Sequence, residues 1–328
     1  MSRVAVVGAG AWGTTLAILL AEKGAQVSLW AYEADLVPEV REFRENKRFL
    51  PGFPLPQTIA ITNEVNDLRA AELVFFVVPT QFLRQAARRF QGVFAPGAVI
   101  VAASKGIEGG TLKLPLQILA EELGVGNAAA LSGPNLSHEI ARGLPAAAVA
   151  ASRDKATAQK VQAALMLDRF RVYTNDDPTG VQLGGALKNV IAIAAGVVDG
   201  LGLGDNAKSA LLIRGIVEIT RLGSALGAKP ETFAGLSGMG DLITTCASRL
   251  SRNHTVGEQL AKGRKLKEIL AGMKEVAEGV PTAVAARELG KKQGVSLPIA
   301  DQVYQVLYEG KDPYRAISEL MTRSATSE

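Results

Sequence analysis

The first half of the chain alternates short apolar runs with amphipathic stretches. Continuous apolar runs at residues 4–7, 73–78, 98–103 and 146–151 predict buried strands, since strands covered on both faces lose the polar alternation of a half-exposed sheet. The intervening stretches, such as TTLAILLAEKG and QFLRQAARRF, are typical of helices. This alternation predicts an α/β fold with a doubly wound parallel sheet.

After the run RFRVYTN the strand pattern stops, and helical stretches with Gly and Pro at their breaks continue to the end. We therefore predict an α/β domain over residues 1–180 and an all-α domain over residues 181–328. No internal repeat interrupts either part.

Residues 181–198, VQLGGALKNVIAIAAGVV, are apolar enough to suggest a membrane span. The polar groups of Gln182, Lys188 and Asn189 would be costly in lipid, so we predict a buried helix and no membrane span. Lys188 is the only ionisable side chain between Asp177 and Asp199. A solvated surface lysine would normally lie among other charges, so this one calls for an explanation.

Composition excludes several function classes. The formal net charge is +4 over 328 residues, and the basic residues are scattered, which gives no track for a nucleic-acid backbone. One cysteine, Cys246, rules out an internal disulfide. The start MSRVAVVGAG enters a strand pattern without signal-peptide architecture, so we expect a cytoplasmic protein.

The motif GAGAWG, with Gly8, Gly10 and Gly13, follows the first predicted strand and opens a helix. In such a loop the first glycine permits a tight turn, the second lets the backbone approach a pyrophosphate, and the third allows close packing of helix and strand. The free N–H groups of the helix N-terminus favour an anion. The context predicts dinucleotide binding, with an unliganded turn as the alternative.

The second predicted strand, AQVSLW, is followed by Glu33 and Asp35. Either carboxylate could accept hydrogen bonds from the adenosine ribose and disfavour a 2′-phosphate, or could simply be solvated. A basic cluster follows and leaves the choice between NAD and NADP open: Arg41, Arg44, Lys47 and Arg48.

A bound nicotinamide suggests a role for Lys188. Oxidation of an alcohol needs a base for the hydroxyl proton, and burial favours the neutral amine that can act as this base. Lys105, which follows the strand AVIVAAS at the edge where such sheets bind ligands, could supply a second cation. The alternatives are a Lys188 that snorkels out of its helix or pairs with a distant carboxylate such as Asp241, and a Lys105 that is a surface residue of a loop.

A third group of polar residues comes from GLSGMGDLITTC and the tripeptide SRN, which contain Asp241, Ser251, Arg252 and Asn253. An arginine fork between neutral donors at a helix start suits a phosphate monoester, although an N-cap serine beside a surface arginine is a common structural arrangement. The two histidines lie in no metal-ligand spacing, and we expect no metal.

The chain resembles the bacterial glycerol-3-phosphate dehydrogenases that use NAD(P). The resemblance runs almost end to end, through GAGAWGTTLA, FLPG, SKGIE, SGPNLSHEIARGLP, GALKNVIAIAAGVVDGLGLGDNAKSALLIRG, TFAGLSGMGDLITTC, SRN and VAEGVPTA. It implies that Lys188 is the proton acceptor. It implies substrate contacts from Lys105, Gly133, Asn135, Lys188, Asp241, Ser251, Arg252 and Asn253. It implies cofactor contacts from Ala11, Trp12, Tyr32, Phe49, Lys105, Ser137, Arg252, Val276 and Glu278, beside Gly8, Gly10 and Gly13 of the loop.

The sequence thus leads to an oxidoreductase that interconverts sn-glycerol 3-phosphate and dihydroxyacetone phosphate, with the substrate enclosed between a Rossmann-like domain and a helical domain. A role in supplying glycerol phosphate for phospholipid synthesis follows from the resemblance alone. A β-hydroxyacid dehydrogenase of the same plan and a nucleotide-sensing module without turnover are the alternatives. The sequence does not decide whether the chain forms a homodimer.

Overall fold

The computed structural model describes residues 2–273 and 275–323. The chain forms two compact units, the first comprising Met1–Lys105 and Leu114–Gln182 and the second Gly106–Lys113 and Leu183–Glu328. The domains predicted from the sequence begin at residue 1 and end at residue 328, and residues 1 and 324–328 lie outside the described residues.

The first unit is built on one eight-stranded sheet with the strand order β3-β2-β1-β4-β5-β6-β7-β8. The strands are β1 (Arg3–Val7), β2 (Gln26–Trp30), β3 (Ile59–Thr62), β4 (Leu73–Phe76), β5 (Val99–Ala102), β6 (Ala128–Ser132), β7 (Ala146–Ala151) and β8 (Phe170–Asn175). The strand order reverses between β1 and β4, which is the point at which doubly wound sheets bind nucleotides. The predicted fold class is confirmed.

One strand pair departs from the expected parallel sheet, because β6 and β7 are antiparallel. Only one helix of five residues, Ser137–Ala141, lies between them. Parallel neighbours are usually joined by a crossover helix, and at about 1.5 Å per residue this helix spans less than half the length of β6. The chain instead turns and runs back beside β6.

Helices cover both faces of this sheet. They are α1 (Ala11–Glu22), α2 (Leu36–Phe43), α3 (Thr80–Arg88), α4 (Pro115–Leu123), α5 (Ser137–Ala141) and α6 (Lys155–Leu165). Successive β1 residues point to opposite faces, so that Val4 and Val6 join one core and Ala5 and Val7 join the other. Both faces are buried, which explains the unbroken apolar runs in the sequence.

The second unit is helical in its described part. Its helices are α7 (Pro178–Gly200, which starts in the first unit), α8 (Gly204–Ala225), α9 (Asp241–Ala247), α10 (Arg252–Ala261), α11 (Leu266–Ala271), α12 (Gly279–Gln293), α13 (Pro298–Tyr308) and α14 (Pro313–Met321). Helix α7 is long and apolar enough to cross a membrane, but 94% of its most apolar window is buried inside the protein. It is therefore explained as a core helix of this fold.

Candidate active site

The glycine-rich loop lies at the switch point of the sheet, between β1 and α1. Gly8 has a φ of +114°, and its amide donates to the carbonyl of Trp30 at the end of β2. A Cβ at Gly13 would lie 1.8 Å from the Gly8 carbonyl oxygen, so the third glycine is required for close packing of helix and strand.

Gly10 differs from the other two glycines of the loop. A Cβ built at Gly10 would meet no atom within 4 Å, so the described protein atoms do not require glycine there. The space above Gly10 is open at the N-terminus of α1, where anions bind to free N–H groups. Trp12, the second residue of that helix, has a buried indole N–H without a hydrogen-bond partner among the described residues. These features fit a dinucleotide pyrophosphate.

Asn46, which the sequence analysis missed, holds the loop in place. Its side chain is fully buried, and its Nδ2 donates to the carbonyl of Ala9 at 2.8 Å and to Oγ1 of Thr14 at 2.9 Å. Its Oδ1 accepts from the amide of Phe49 at 3.2 Å, which ties the loop to a predicted cofactor contact. A single asparagine in a polar stretch carries no local pattern that could have pointed to this role.

The residues after β2 lie beside the loop, since Trp30 bonds directly to Gly8. Tyr32 is exposed and Glu33 is half-buried. Asp35, the other candidate for the ribose, accepts a 2.7 Å hydrogen bond from Arg48, and this bond, more than any other effect, lowers the pKa of Asp35. Glu33 is therefore the better placed of the two carboxylates to face a ligand.

Lys105, at the carboxyl end of β5, is half-buried within the first unit. Its Nζ donates to the carbonyl of Gly133 at 2.7 Å and to Oδ1 of Asn135 at 3.4 Å. The Nδ2 of Asn135 is buried and has no partner among the described residues. Gly133 adopts a φ of +126°, which turns the chain after β6 so that its carbonyl reaches the lysine. Three predicted substrate residues are thus brought together.

Lys188 lies on α7 and is buried, with 6% of its surface exposed. Its Nζ donates to Oδ1 of Asp241 at 2.7 Å and to Oγ1 of Thr245, and the Thr245 hydroxyl is also within 3.2 Å of the same carboxylate oxygen. The ion pair named as the structural alternative for Lys188 is therefore present. Thr245 was not among the predicted site residues, although it lies one helical turn beyond Asp241.

A short π-helix, Leu236–Gly240, precedes Asp241, which is the first residue of α9. It approaches α7 so closely that a Cβ at Gly184 would lie 2.6 Å from the carbonyl oxygen of Ser237. Lys188 is one turn further along α7 than Gly184, so this close approach brings the lysine beside the carboxylate. π-helical turns are frequent at functional sites.

Cys246, the next residue after Thr245, is also buried in this part of the second unit. Burial raises the pKa of its thiol to about 12. The thiol therefore stays protonated at neutral pH and cannot serve as a nucleophile.

The tripeptide SRN lies at the start of α10. Ser251 is buried and caps the helix by accepting from the amide of His254 at 3.2 Å. Asn253 is committed to the protein, since it donates to Oδ1 of Asn189 on α7 and accepts from the amide of Gly279. The side chain of Arg252 is half-exposed and reaches Oε2 of Glu275 at 3.3 Å. Arg252 is thus the member of the tripeptide most accessible to a ligand.

His254 is buried and its Nε2 lies 2.7 Å from Oδ2 of Asp199. Burial acts to raise the pKa of Asp199, but the hydrogen bonds from Lys208 and His254 together outweigh it and lower the pKa. The other histidine, His138, packs edge-to-face against Phe53. No group of three or more His, Cys, Asp or Glu side chains in residues 2–273 and 275–323 could hold a metal ion.

The remaining predicted cofactor residues lie in both units. In the first unit, Ala11 is the first residue of α1, and the Ser137 carbonyl at the start of α5 accepts a 3.3 Å bond from Thr15. In the second unit, Val276 is half-buried in the segment before α12, and Glu278 is the residue at which that helix is capped.

Two family models match this chain. The model described as NAD-dependent glycerol-3-phosphate dehydrogenase N-terminus matches residues 3–158, and the corresponding C-terminus model matches residues 177–318. The chain belongs to the NAD-dependent glycerol-3-phosphate dehydrogenase family. The resemblance inferred from the sequence motifs is thereby confirmed.

Individual relatives agree with this family. The chain is 51% identical over 330 residues to glycerol-3-phosphate dehydrogenase [NAD(P)+] of Citrifermentans bemidjiense, covering 99% of this chain and 98% of the relative. Its structure is similar to the crystal structure of glycerol-3-phosphate dehydrogenase from Coxiella burnetii, with a TM-score of 0.95, 38% identity and coverage of 98% and 99%. The Saccharomyces cerevisiae enzyme gives a TM-score of 0.84 at 28% identity, with the same coverage.

Proposed function

We propose that this chain catalyses the interconversion of sn-glycerol 3-phosphate and dihydroxyacetone phosphate with NAD or NADP. The observation that carries the proposal is the buried Lys188 on α7, a titratable group in an otherwise apolar run, together with a dinucleotide loop of fitting geometry. The names of the relatives, which match nearly the whole chain, support the same reaction.

The coenzyme is proposed to bind at the carboxyl edge of the sheet in the first unit. The open space above Gly10 and the free N–H groups of α1 would hold its pyrophosphate, with the indole N–H of Trp12, unpaired within residues 2–273 and 275–323, as a further donor. Tyr32 and Phe49 would lie along the adenosine half. A bound nicotinamide supplies a hydride in one direction and accepts one in the other.

Lys188 is proposed to move the proton. In ketone reduction its ammonium would donate a proton to the developing alkoxide, and in alcohol oxidation its amine would accept the hydroxyl proton. Asp241 and Thr245 would orient Nζ, and the Asp241 carboxylate would supply a counter-charge while the lysine is an ammonium. The ion pair and the catalytic role are therefore compatible, because the pair presents a positioned, exchangeable proton.

Arg252 is proposed to bind the phosphate of the substrate. Its guanidinium can donate two parallel hydrogen bonds to phosphate oxygens, and Glu275 occupies part of that capacity. Lys105 and the Nδ2 of Asn135, which has no partner in the described part of the chain, are further donors in the first unit. Ser251 and Asn253 would act mainly by holding the start of α10, since both side chains are bonded within the protein.

A β-hydroxyacid dehydrogenase would need a carboxylate-binding group, and a sensing module would need no proton-transfer group. The buried lysine argues against a sensing module, and the names of the relatives, which match nearly the whole chain, favour the phosphorylated ketone over a β-hydroxyacid. A role in phospholipid precursor supply, a cytoplasmic location and a homodimeric state remain part of the proposal.

The test is the absorbance of NADH and NADPH in parallel assays with dihydroxyacetone phosphate. We expect coenzyme oxidation that depends on both enzyme and substrate. No oxidation with dihydroxyacetone phosphate would overturn the proposed reaction. Oxidation that is equally fast with a β-keto acid would support the alternative.

A further inference from the structure

Arg89, which follows α3, stacks on an aromatic ring at the coenzyme edge of the sheet. Its guanidinium carbon lies 4.7 Å from the centre of the Tyr32 ring and 5.9 Å from that of Trp30. Trp30 is buried and its carbonyl bonds to Gly8, whereas 58% of Tyr32 is exposed. Arg89 is exposed as well, so its guanidinium lies at the surface against the Tyr32 ring, two residues beyond the end of β2.

The basic cluster after β2 makes other contacts. Arg41 donates to the carbonyl of Ile61, and Arg44 donates to the carbonyls of Leu55, Pro56 and Ile59. The Nζ of Lys47 lies 3.5 Å from the centre of the Phe43 ring, and Arg48 forms an ion pair with Asp35. Each of these four cations has a structural partner that it would have to leave in order to bind a phosphate.

Arg89 differs from them because its side chain forms no ion pair or hydrogen bond with any residue in 2–273 or 275–323; its contacts are the two aromatic rings. A guanidinium can stack by its face while its edge keeps five N–H donors in a planar fork. That edge suits a phosphate monoester, to which it can donate two parallel bonds. The stacking on Tyr32 reduces the rotamer freedom that would otherwise be lost on binding.

We propose that Arg89 recognises the 2′-phosphate of NADP(H) and is the residue that lets this chain accept the phosphorylated coenzyme. The inference rests on the proposed coenzyme site, because the adenosine ribose of a bound dinucleotide lies after the second strand of such a fold. Glu33 acts in the opposite sense, since its carboxylate repels a 2′-phosphate. Coenzyme choice is then a balance between one cation carried by α3 and one anion carried by the β2 end.

Binding of adenosine fragments tests this proposal without any turnover. Calorimetric titrations with adenosine 2′,5′-bisphosphate and with 5′-AMP are run on the wild type and on Arg89→Gln, Arg89→Lys and Arg88→Gln. Arg88 is the matched control, an adjacent exposed arginine whose partner is Glu122.

We expect Arg89→Gln to weaken the bisphosphate by about 10- to 150-fold, the range for a lost charged hydrogen bond, and to change 5′-AMP affinity by no more than about 2-fold. The bisphosphate affinity of Arg89→Lys should lie between those of the wild type and Arg89→Gln, because lysine keeps the charge but lacks the planar fork of N–H donors. Arg88→Gln should change neither ligand.

An equal loss for both ligands would overturn the proposal and show that Arg89 contacts the adenine instead. An unchanged affinity of Arg89→Gln for the bisphosphate would also overturn the proposal. So would a wild type that binds the bisphosphate no more tightly than 5′-AMP. A wild type that binds both fragments but fails to reduce dihydroxyacetone phosphate refutes the proposed reaction and leaves the Arg89 result intact.

Discussion

The Nζ atom of Lys188 lies 2.7 Å from Oδ1 of Asp241, and both side chains are buried in the second unit. Removal of one member of a buried ion pair leaves the other uncompensated, which costs about 3 to 5 kcal/mol. A single substitution of Lys188 therefore mixes any loss of catalysis with a loss of stability.

A double variant separates the two effects. We expect Lys188→Met to lower turnover by at least about 100-fold and also to lower the melting temperature. The double variant Lys188→Met with Asp241→Asn should recover much of the stability without recovering turnover. Thermal melts, coenzyme titrations and steady-state rates check this, and near wild-type turnover in either variant would mean that Lys188 is structural.

The guanidinium of Arg252 is predicted to bind the substrate phosphate. Loss of a charged hydrogen bond costs about 1.5 to 3 kcal/mol, so Arg252→Gln should lower kcat/KM for dihydroxyacetone phosphate by about 10- to 150-fold. Dihydroxyacetone is the control, because it has no phosphate. It should be a very poor substrate for the parent enzyme, and the substitution should affect it far less. Equal losses for both would assign Arg252 to the coenzyme or the fold.

Glu275 competes with that phosphate for Arg252, since its Oε2 lies 3.3 Å from Nη1 of the arginine. Partly exposed ion pairs contribute about 0.2 to 1 kcal/mol, so Glu275→Gln should lower KM for dihydroxyacetone phosphate by up to about 5-fold. The value of kcat should change little. A raised KM would mean that the Glu275 carboxylate positions Arg252 for the phosphate. When Glu275→Gln is added to Arg252→Gln, we expect no further change in KM.

Glu33 is predicted to disfavour NADPH. Two unit charges 4 Å apart in water interact by about 1 kcal/mol, so Glu33→Gln should raise kcat/KM with NADPH by about 5-fold and leave the NADH value nearly unchanged. The ratio of the two values in each protein is the measurement. Asp35→Asn is the control, since Arg48 already neutralises Asp35. An unchanged ratio would show that Glu33 points into solvent.

Glu218 on α8 makes stability depend on pH. Its carboxylate accepts from the amides of Ile299 and Ala300 at the start of α13. Burial raises the pKa of Glu218 to about 7, although these two bonds and Arg221 act to lower it, while Asp301 adds to the rise. The folded state therefore keeps a proton that the unfolded chain releases above its usual pKa of 4.5.

The sign follows from linkage. The contribution of protonated Glu218 to the stability of the folded state is fully present below pH 4.5. It falls as the pH rises and is lost once the pH passes about 7. At 1.36 kcal/mol per pKa unit, this amounts to roughly 3 kcal/mol. Urea unfolding of the wild type and Glu218→Gln between pH 4.5 and 7.5 measures it, because the glutamine does not titrate. We expect the difference in the free energy of unfolding between the two proteins to change by this amount over that pH range. Parallel plots of unfolding free energy against pH would exclude a contribution from Glu218.

Much of this protein could be read from its sequence, because hydrophobic periodicity and glycine spacing are local. The apolar runs predicted the doubly wound sheet, and GAGAWG predicted the loop after β1. The family motifs pointed to the reaction. Lys188 could be singled out because a charge in an apolar run is visible without knowing what surrounds it.

Other features depend on residues that are far apart in sequence and adjacent only in the fold. Nothing local marks Asn46 as the clamp on Ala9, Thr245 as a partner of Lys188, or Arg89 as the cation stacked on Tyr32. The basic residues after β2 illustrate the same limit, since their number left the choice between NAD and NADP open, whereas their contacts engage them elsewhere. A hydrogen bond or a ring contact requires atoms within a few ångströms, and chain folding alone determines which residues meet at that distance.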